Sequence, residues 1–215
     1  TMHQSIIQQR SAVFFPEHTG VRVYMREFHK AKGLPKDLAK WQATVDCMLD
    51  GVDSDGPIYI MIDEGIVTPS KPHRRQGLHI DGYWNPGIQA HGGGGRHSMA
   101  AGWDTRPTWV RAKEGWPDEA LILASNVQAC RGYLGWWEGD PGDGGDCSHV
   151  KTHAMKEVKM LPNVAYACNV TALHESITTA APHKRTLVRL SVPGWSPTDD
   201  APVRIPATSA NRFRY

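Results

Sequence analysis

The chain has 215 residues, 40% of them hydrophobic and 21% charged, a composition that suits one globular domain with a substantial core. Lys and Arg number 24 against 22 Asp and Glu, and a net charge of only +2 argues against a non-specific nucleic-acid binder. No apolar run approaches the roughly 18–20 residues of a membrane span, and Thr1-Met2-His3-Gln4 lacks the basic and apolar stretches of a secretory signal, so a cytoplasmic home is expected. Cys47, Cys130, Cys147 and Cys168 form no Cys-x-x-Cys pair and are expected to be free thiols.

In chain order, the first clear element is helical. Leu34, Leu38, Trp41, Val45 and Leu49 recur at helical spacing, with Pro35 suited to the first turn and Gly51 to the stop, so a helix is predicted over 34–50. Asp53-Ser54-Asp55-Gly56 resembles a calcium loop only faintly, being out of register and lacking the closing glutamate, and reads as a turn. Strands are predicted at 57–62, 76–84, 120–129, 164–173 and 186–192, separated by glycine- or proline-rich breaks at 85–95, 135–145 and 193–202. This pattern predicts a mostly β sandwich, jelly roll or barrel behind an N-terminal helical flank, with an aperiodic tail from 198. The two long glycine-rich breaks read as functional loops, and 139–146 as an acidic lid.

The chemistry-bearing pattern begins at His79-Ile80-Asp81. Strand side chains alternate between faces, so His79 and Asp81 share one while Leu78 and Ile80 take the other. His174, at the end of the predicted strand 164–173, supplies a third candidate ligand. Two imidazoles and one carboxylate suit the facial triad of non-heme Fe(II) oxygenases, which leaves coordination positions open. A His-x-Asp alone is more often a surface pair or a hydrogen-bonded core histidine. The strand after His174 alters that balance. Arg185, Leu187, Arg189 and Ser191 share a face, and inward arginines need anionic partners. A bound dicarboxylate is such a partner, gripped by an arginine fork and a serine hydroxyl; the plain alternatives are a solvated face or arginines paired with protein carboxylates.

His79-x-Asp81, then His174, then Arg189-x-Ser191 resembles the pattern of the Fe(II)/2-oxoglutarate-dependent dioxygenases over about residues 57–195. The resemblance implies a double-stranded β-helix (jelly-roll, cupin-like) core within a single domain spanning 1–215. It implies Fe(II) on His79, Asp81 and His174, 2-oxoglutarate chelating the iron, and Arg189 with Ser191 on the distal carboxylate, with Arg185 a competitor for that role. Asp81 argues against the related halogenases, which carry a small residue there. The implied reaction consumes O2, decarboxylates 2-oxoglutarate to succinate and removes a hydrogen atom from an organic substrate, most commonly to hydroxylate it.

Asn126 and Gln128, on one face of a predicted strand, are candidate 2-oxoglutarate contacts or supports of the metal ligands, and Tyr59 is a weaker one. Tyr83, Trp84, His91 and Trp137 are candidate substrate contacts, with 91–97 as a neighbouring glycine-rich loop and Lys71, His73, Arg74 and Arg75 as a small basic cluster. Each has a plain reading as core or solvated turn. His149 and His153, near Asp146 and Cys147, form a weak candidate for a second metal site. The expected substrate is a small metabolite, a protein side chain or a nucleobase, with no membrane partner. The alternative from another class is a cupin-like metal- or ligand-binding protein without oxygenase activity, which has no need of an Arg-x-Ser clamp.

Overall fold

β-Branched and aliphatic residues dominate Pro57–Val67 (β4), Glu119–Ser125 (β7) and His183–Pro193 (β12), and all three lie inside one sheet. The computed structural model describes residues 2–69, 76–84, 103–104, 116–128 and 130–198. The remaining strands are Met2–Ser5 (β1), Ile7–Ala12 (β2), Arg22–His29 (β3), Tyr83–Trp84 (β5), Trp103–Asp104 (β6), Cys130–Glu138 (β8), Lys156–Lys159 (β9), Val164–Cys168 (β10) and Leu173–Ser176 (β11). Six of the strands form a large antiparallel sheet in the order β2-β10-β7-β12-β4-β3. In a smaller sheet β8 pairs with β1, β9 and β11, all antiparallel, while β5 and β6 form a two-stranded ribbon. The protein is therefore mostly β, with antiparallel sheets. Among the described residues no helix is long and apolar enough to cross a membrane.

The alternation in β12 decides how the layers pack. Val188, Leu190 and Val192 join Trp41, Val45, Met48 and Leu49 in a core between the large sheet and the helical segment. The helical stripe is as expected, but the segment is split into a 3-10 helix, Lys36–Trp41, and α1, Gln42–Met48. The other face of the large sheet packs on the small sheet through Ile7, Leu121, Tyr166 and Cys168 with Met160, Val158 and Leu134. Arg185, Leu187, Arg189 and Ser191 point toward that inner side, and the candidate site lies there.

Several expectations are corrected. The N-terminal flank is not only helical, since β1, β2 and β3 precede the helix. The predicted strand 164–173 is two strands in different sheets. Asn169 breaks it by accepting the Ile6 N–H at 3.0 Å and donating to Gln4 O at 2.8 Å, after which the chain turns and starts β11. The expected break at 135–145 begins inside β8. All four cysteines are free thiols, as expected.

Gly132 sits opposite His174 in the β8–β11 register. A Cβ there would collide with Ile7 Cδ1 and approach Leu173 O at 3.4 Å. Gly132→Ala is expected to cost about 1–3 kcal/mol by overpacking, lowering the melting temperature by roughly 3–10 °C. Adding Ile7→Ala should lessen the steric part of the loss. An unchanged melting temperature in Gly132→Ala would show that the sheets are not closely packed here.

Candidate metal centre

Tight backbone pairing sets the ligands before any metal is considered. His79 and His174 lie directly opposite each other and exchange two backbone hydrogen bonds, His79 N to His174 O at 3.0 Å and His174 N to His79 O at 3.1 Å. The other edge of the His79 segment is held by 145–147: Ile80 N–H donates to Gly145 O and Cys147 N–H to Leu78 O, both at 2.9 Å. The acidic loop expected to be a lid therefore serves as a neighbouring strand to the ligand segment, with a short 3-10 turn at Asp143–Gly145. The expected strand 76–84 is interrupted, because Gly82 has φ +73°, a left-handed conformation that glycine adopts without strain. Asp81 follows a single bridge, and β5 starts only at Tyr83.

His79 and Asp81 face the same way, as the alternation predicts, while Leu78 and Ile80 pack behind them with Tyr133, Cys147 and Leu173. One donor atom each from His79, Asp81 and His174 lies within 4.8 Å of the other two. Both histidines are buried, at 6% and 7% exposure, and their rings meet at 4.4 Å between centroids. His79 Nδ1 lies 2.7 Å from Gly77 O and His174 Nδ1 lies 3.1 Å from Ala172 O, each donating its N–H to that carbonyl. That tautomer leaves Nε2 with a lone pair, and both Nε2 atoms face Asp81, at 3.8 Å for His79 and 3.1 Å for His174. Lone pairs converging on a carboxylate repel unless a cation lies among them. Two imidazole nitrogens and a carboxylate oxygen suit a first-row divalent metal.

Arg189 donates to Asp81 Oδ2 at 2.8 Å. Burial alone would raise the Asp81 carboxyl, but the Arg189 guanidinium, joined by the two imidazoles when they are protonated in the metal-free site, holds it well below the usual range. Arg189 is thus joined to the candidate ligand carboxylate, so for this arginine the plain alternative, a protein carboxylate as partner, is realised. Arg185 is 7% exposed and its Nε has no hydrogen-bond partner; burial lowers its pKa. Ser191 is 1% exposed and its Oγ is also unsatisfied. Two buried polar groups therefore flank Arg189 along one strand face.

Other candidates fall elsewhere. Asn126 lies just past the end of β7, donating to Lys184 O and accepting the Thr186 N–H. It lines a cavity of about 410 Å³ with Val13, Phe15 and His18, away from the triad's face of β12. Gln128 sits in the β7–β8 connection, so these two residues do not share a strand face. Trp137 is buried with Leu78 and Ile80 and donates to Thr171 O, the core reading of this residue. Tyr83 is buried opposite Asp104, and Trp84 packs against Tyr24 and Tyr59. Tyr59 pairs in register with Ser191 on the triad's side. His91, the loop 91–97 and the basic cluster at 71–75 lie outside the described residues. Among the described residues, His149 and His153 join no group that could hold a metal.

Sequence reasoning also missed Glu119, which is 5% exposed and is pushed up to about 7 by burial. The predicted strand began one residue later, which hid its alternation with Leu121 and Leu123. Searches against protein-family models, curated proteins and solved structures find no match to this chain.

Proposed function

We propose that the protein is an Fe(II)- and 2-oxoglutarate-dependent oxygenase that hydroxylates an organic substrate and releases succinate and CO2. The convergence of His79, Asp81 and His174 within 4.8 Å, with both imidazole tautomers fixed by backbone carbonyls, carries this reading. The topology supports it. The order β10-β7-β12-β4 in the large sheet, and the pairing of the His79 segment with β11, of β11 with β8 and of β8 with β9, are compatible with a β-sandwich, and the jelly roll is this reading's finer form of it.

His79 and His174 would bind the metal through Nε2 and Asp81 through its carboxylate, and Arg189 would hold that carboxylate in place. When bound, iron with 2-oxoglutarate supplies the oxidising chemistry. Arg185 is the cation best placed to bind the distal carboxylate, since its buried Nε–H lacks a hydrogen-bond partner and an organic anion would satisfy it. Ser191 offers a further donor. The Arg189–Asp81 bond is the one observation favouring a cupin-like metal-binding protein, because it occupies the arginine of the Arg-x-Ser pair.

Anaerobic addition of Fe(II) and then 2-oxoglutarate separates the readings. A weak visible charge-transfer band that requires both is expected. Metal binding without the band favours the cupin-like alternative.

A further inference from the structure

The inner face of the large sheet extends beyond Ser191. β7 places Leu121 opposite Ser191 and Glu119 opposite Pro193, so Glu119 lies one strand over on the same face. On the other flank of β12, Tyr59 lies opposite Ser191. Trp84, which follows Asp81 closely in sequence, joins the two: its backbone N–H donates to Glu119 Oε2 at 2.6 Å, and its ring lies 5.9 Å from that of Tyr59. Tyr24 meets the Trp84 ring edge-on, also at 5.9 Å, and the Tyr59 hydroxyl donates to Glu27 at 3.2 Å.

A second buried carboxylate provides the contrast. Glu64, at 1% exposure, accepts from Thr186 Oγ1 and from the backbone N–H groups of Thr19 and Val21. Burial would raise it, but those donors hold it below its ordinary value. Glu119 is almost as deeply buried, yet among the described residues the Trp84 N–H is its one donor and no cationic side chain acts on it. The neutral Tyr59 hydroxyl lies within its field, and burial, then Glu27, then Glu119 raise the Tyr59 pKa. A buried carboxylate without a counter-charge is expensive, and the fold shows with Glu64 how such a group is normally satisfied. Aromatic faces beside a carboxylate favour a positive charge over a neutral or negative one.

We propose that Glu119, with Trp84 and Tyr59 beside it, forms a subsite for an organic ammonium group, so that the molecule presented to His79, Asp81 and His174 is an amine. That this amine is a substrate rests on the oxygenase reading, but ammonium binding does not.

Methylammonium and choline, with 3,3-dimethyl-1-butanol as an uncharged mimic of choline, are titrated calorimetrically into the full chain without iron or 2-oxoglutarate. At least one cation should bind, and choline, if it is the one, about tenfold or more tighter than its mimic. Glu119→Gln keeps an acceptor for the Trp84 N–H and should weaken cation binding at least tenfold. Trp84→Ala should weaken it too, and Glu27→Gln should do so less. If Glu119→Gln does not fold, Trp84→Phe against Trp84→Ala tests the ring's part and the wild-type preference tests the charge. Failure of both cations to bind, equal binding of choline and its mimic, or full affinity in Glu119→Gln each overturns the proposal. Cation binding without a charge-transfer band supports the subsite and counts only against the oxygenase reading; the band without cation binding does the reverse.

Discussion

Asp81→Ala is expected to abolish metal binding and also to destabilise the metal-free protein, whereas His79→Ala and His174→Ala should lose the metal with smaller stability losses. The asymmetry comes from what Asp81 touches. Its Oδ2 accepts from Arg189 at 2.8 Å and lies 3.1 Å from His174 Nε2. Arg189 is 6% exposed, so removing Asp81 takes a carboxylate away from a buried guanidinium. Breaking such a pair costs about 3–5 kcal/mol, and the 21% exposure of the Asp81 side chain moves the expectation to about 3 kcal/mol. For a chain of this size that lowers the melting temperature by roughly 6–12 °C. Neither histidine ring carries a comparable obligation, and the backbone pair between them survives truncation. Melting curves of chelator-treated variants, beside Fe(II) titrations, provide the check. If Asp81→Ala melts with the two histidine variants, the Arg189–Asp81 bond contributes little to the fold. If any of the three still binds iron fully, that residue is not a ligand.

The parts legible in the sequence are those where one periodicity runs undisturbed against one neighbour. The helical stripe from Leu34 to Leu49 and the two faces of β12 are of this kind, and both sort into their expected layers. The three N-terminal strands are not. Met2–Ser5 and Ile7–Ala12 are short and largely polar, and their burial pattern comes from pairing with β8 and β10. In β3 a register shift between Val23 and Arg26, with Met25 at φ +46°, breaks the two-residue period that identifies a strand. The second half of β8 reads as a break because the glycine-rich stretch starts at Gly135, and Gly132 in its first half is packed closely against Ile7. At the site, same-face geometry was legible for His79 and Asp81. A protein carboxylate as an arginine's partner was one reading of β12, but that it is Asp81 was not legible, because spacing along one strand does not say what reaches across from another. Glu119 was lost through a strand boundary one residue out.

That bond leads to an expectation opposite to the one drawn from spacing alone. Arg185→Lys, not Arg189→Lys, should be the variant that loses 2-oxoglutarate. Lysine keeps the charge but lacks the planar fork, so it cannot reproduce a bidentate grip on a carboxylate. Losing one charge-assisted contact in a largely desolvated site costs on the order of 2–4 kcal/mol, or roughly 30-fold to 1000-fold in affinity. Arg185 has the environment for that role, being 7% exposed with its Nε unsatisfied. Arg189→Lys disturbs the carboxylate that it orients, so its effect should fall on Fe(II), at about 10-fold to 100-fold as for other residues that hold a ligand in place. Each variant therefore has its own readout: 2-oxoglutarate titrated anaerobically at saturating Fe(II), and Fe(II) titrated without 2-oxoglutarate. If Arg189→Lys weakens 2-oxoglutarate at unchanged iron affinity while Arg185→Lys does neither, the arginines exchange roles, and Arg189 must leave Asp81 when the co-substrate binds. If neither substitution alters 2-oxoglutarate binding, no arginine on this strand serves a dicarboxylate. The buried charge at Arg185 then needs another anion, and a metal-binding protein without oxygenase chemistry becomes the better reading.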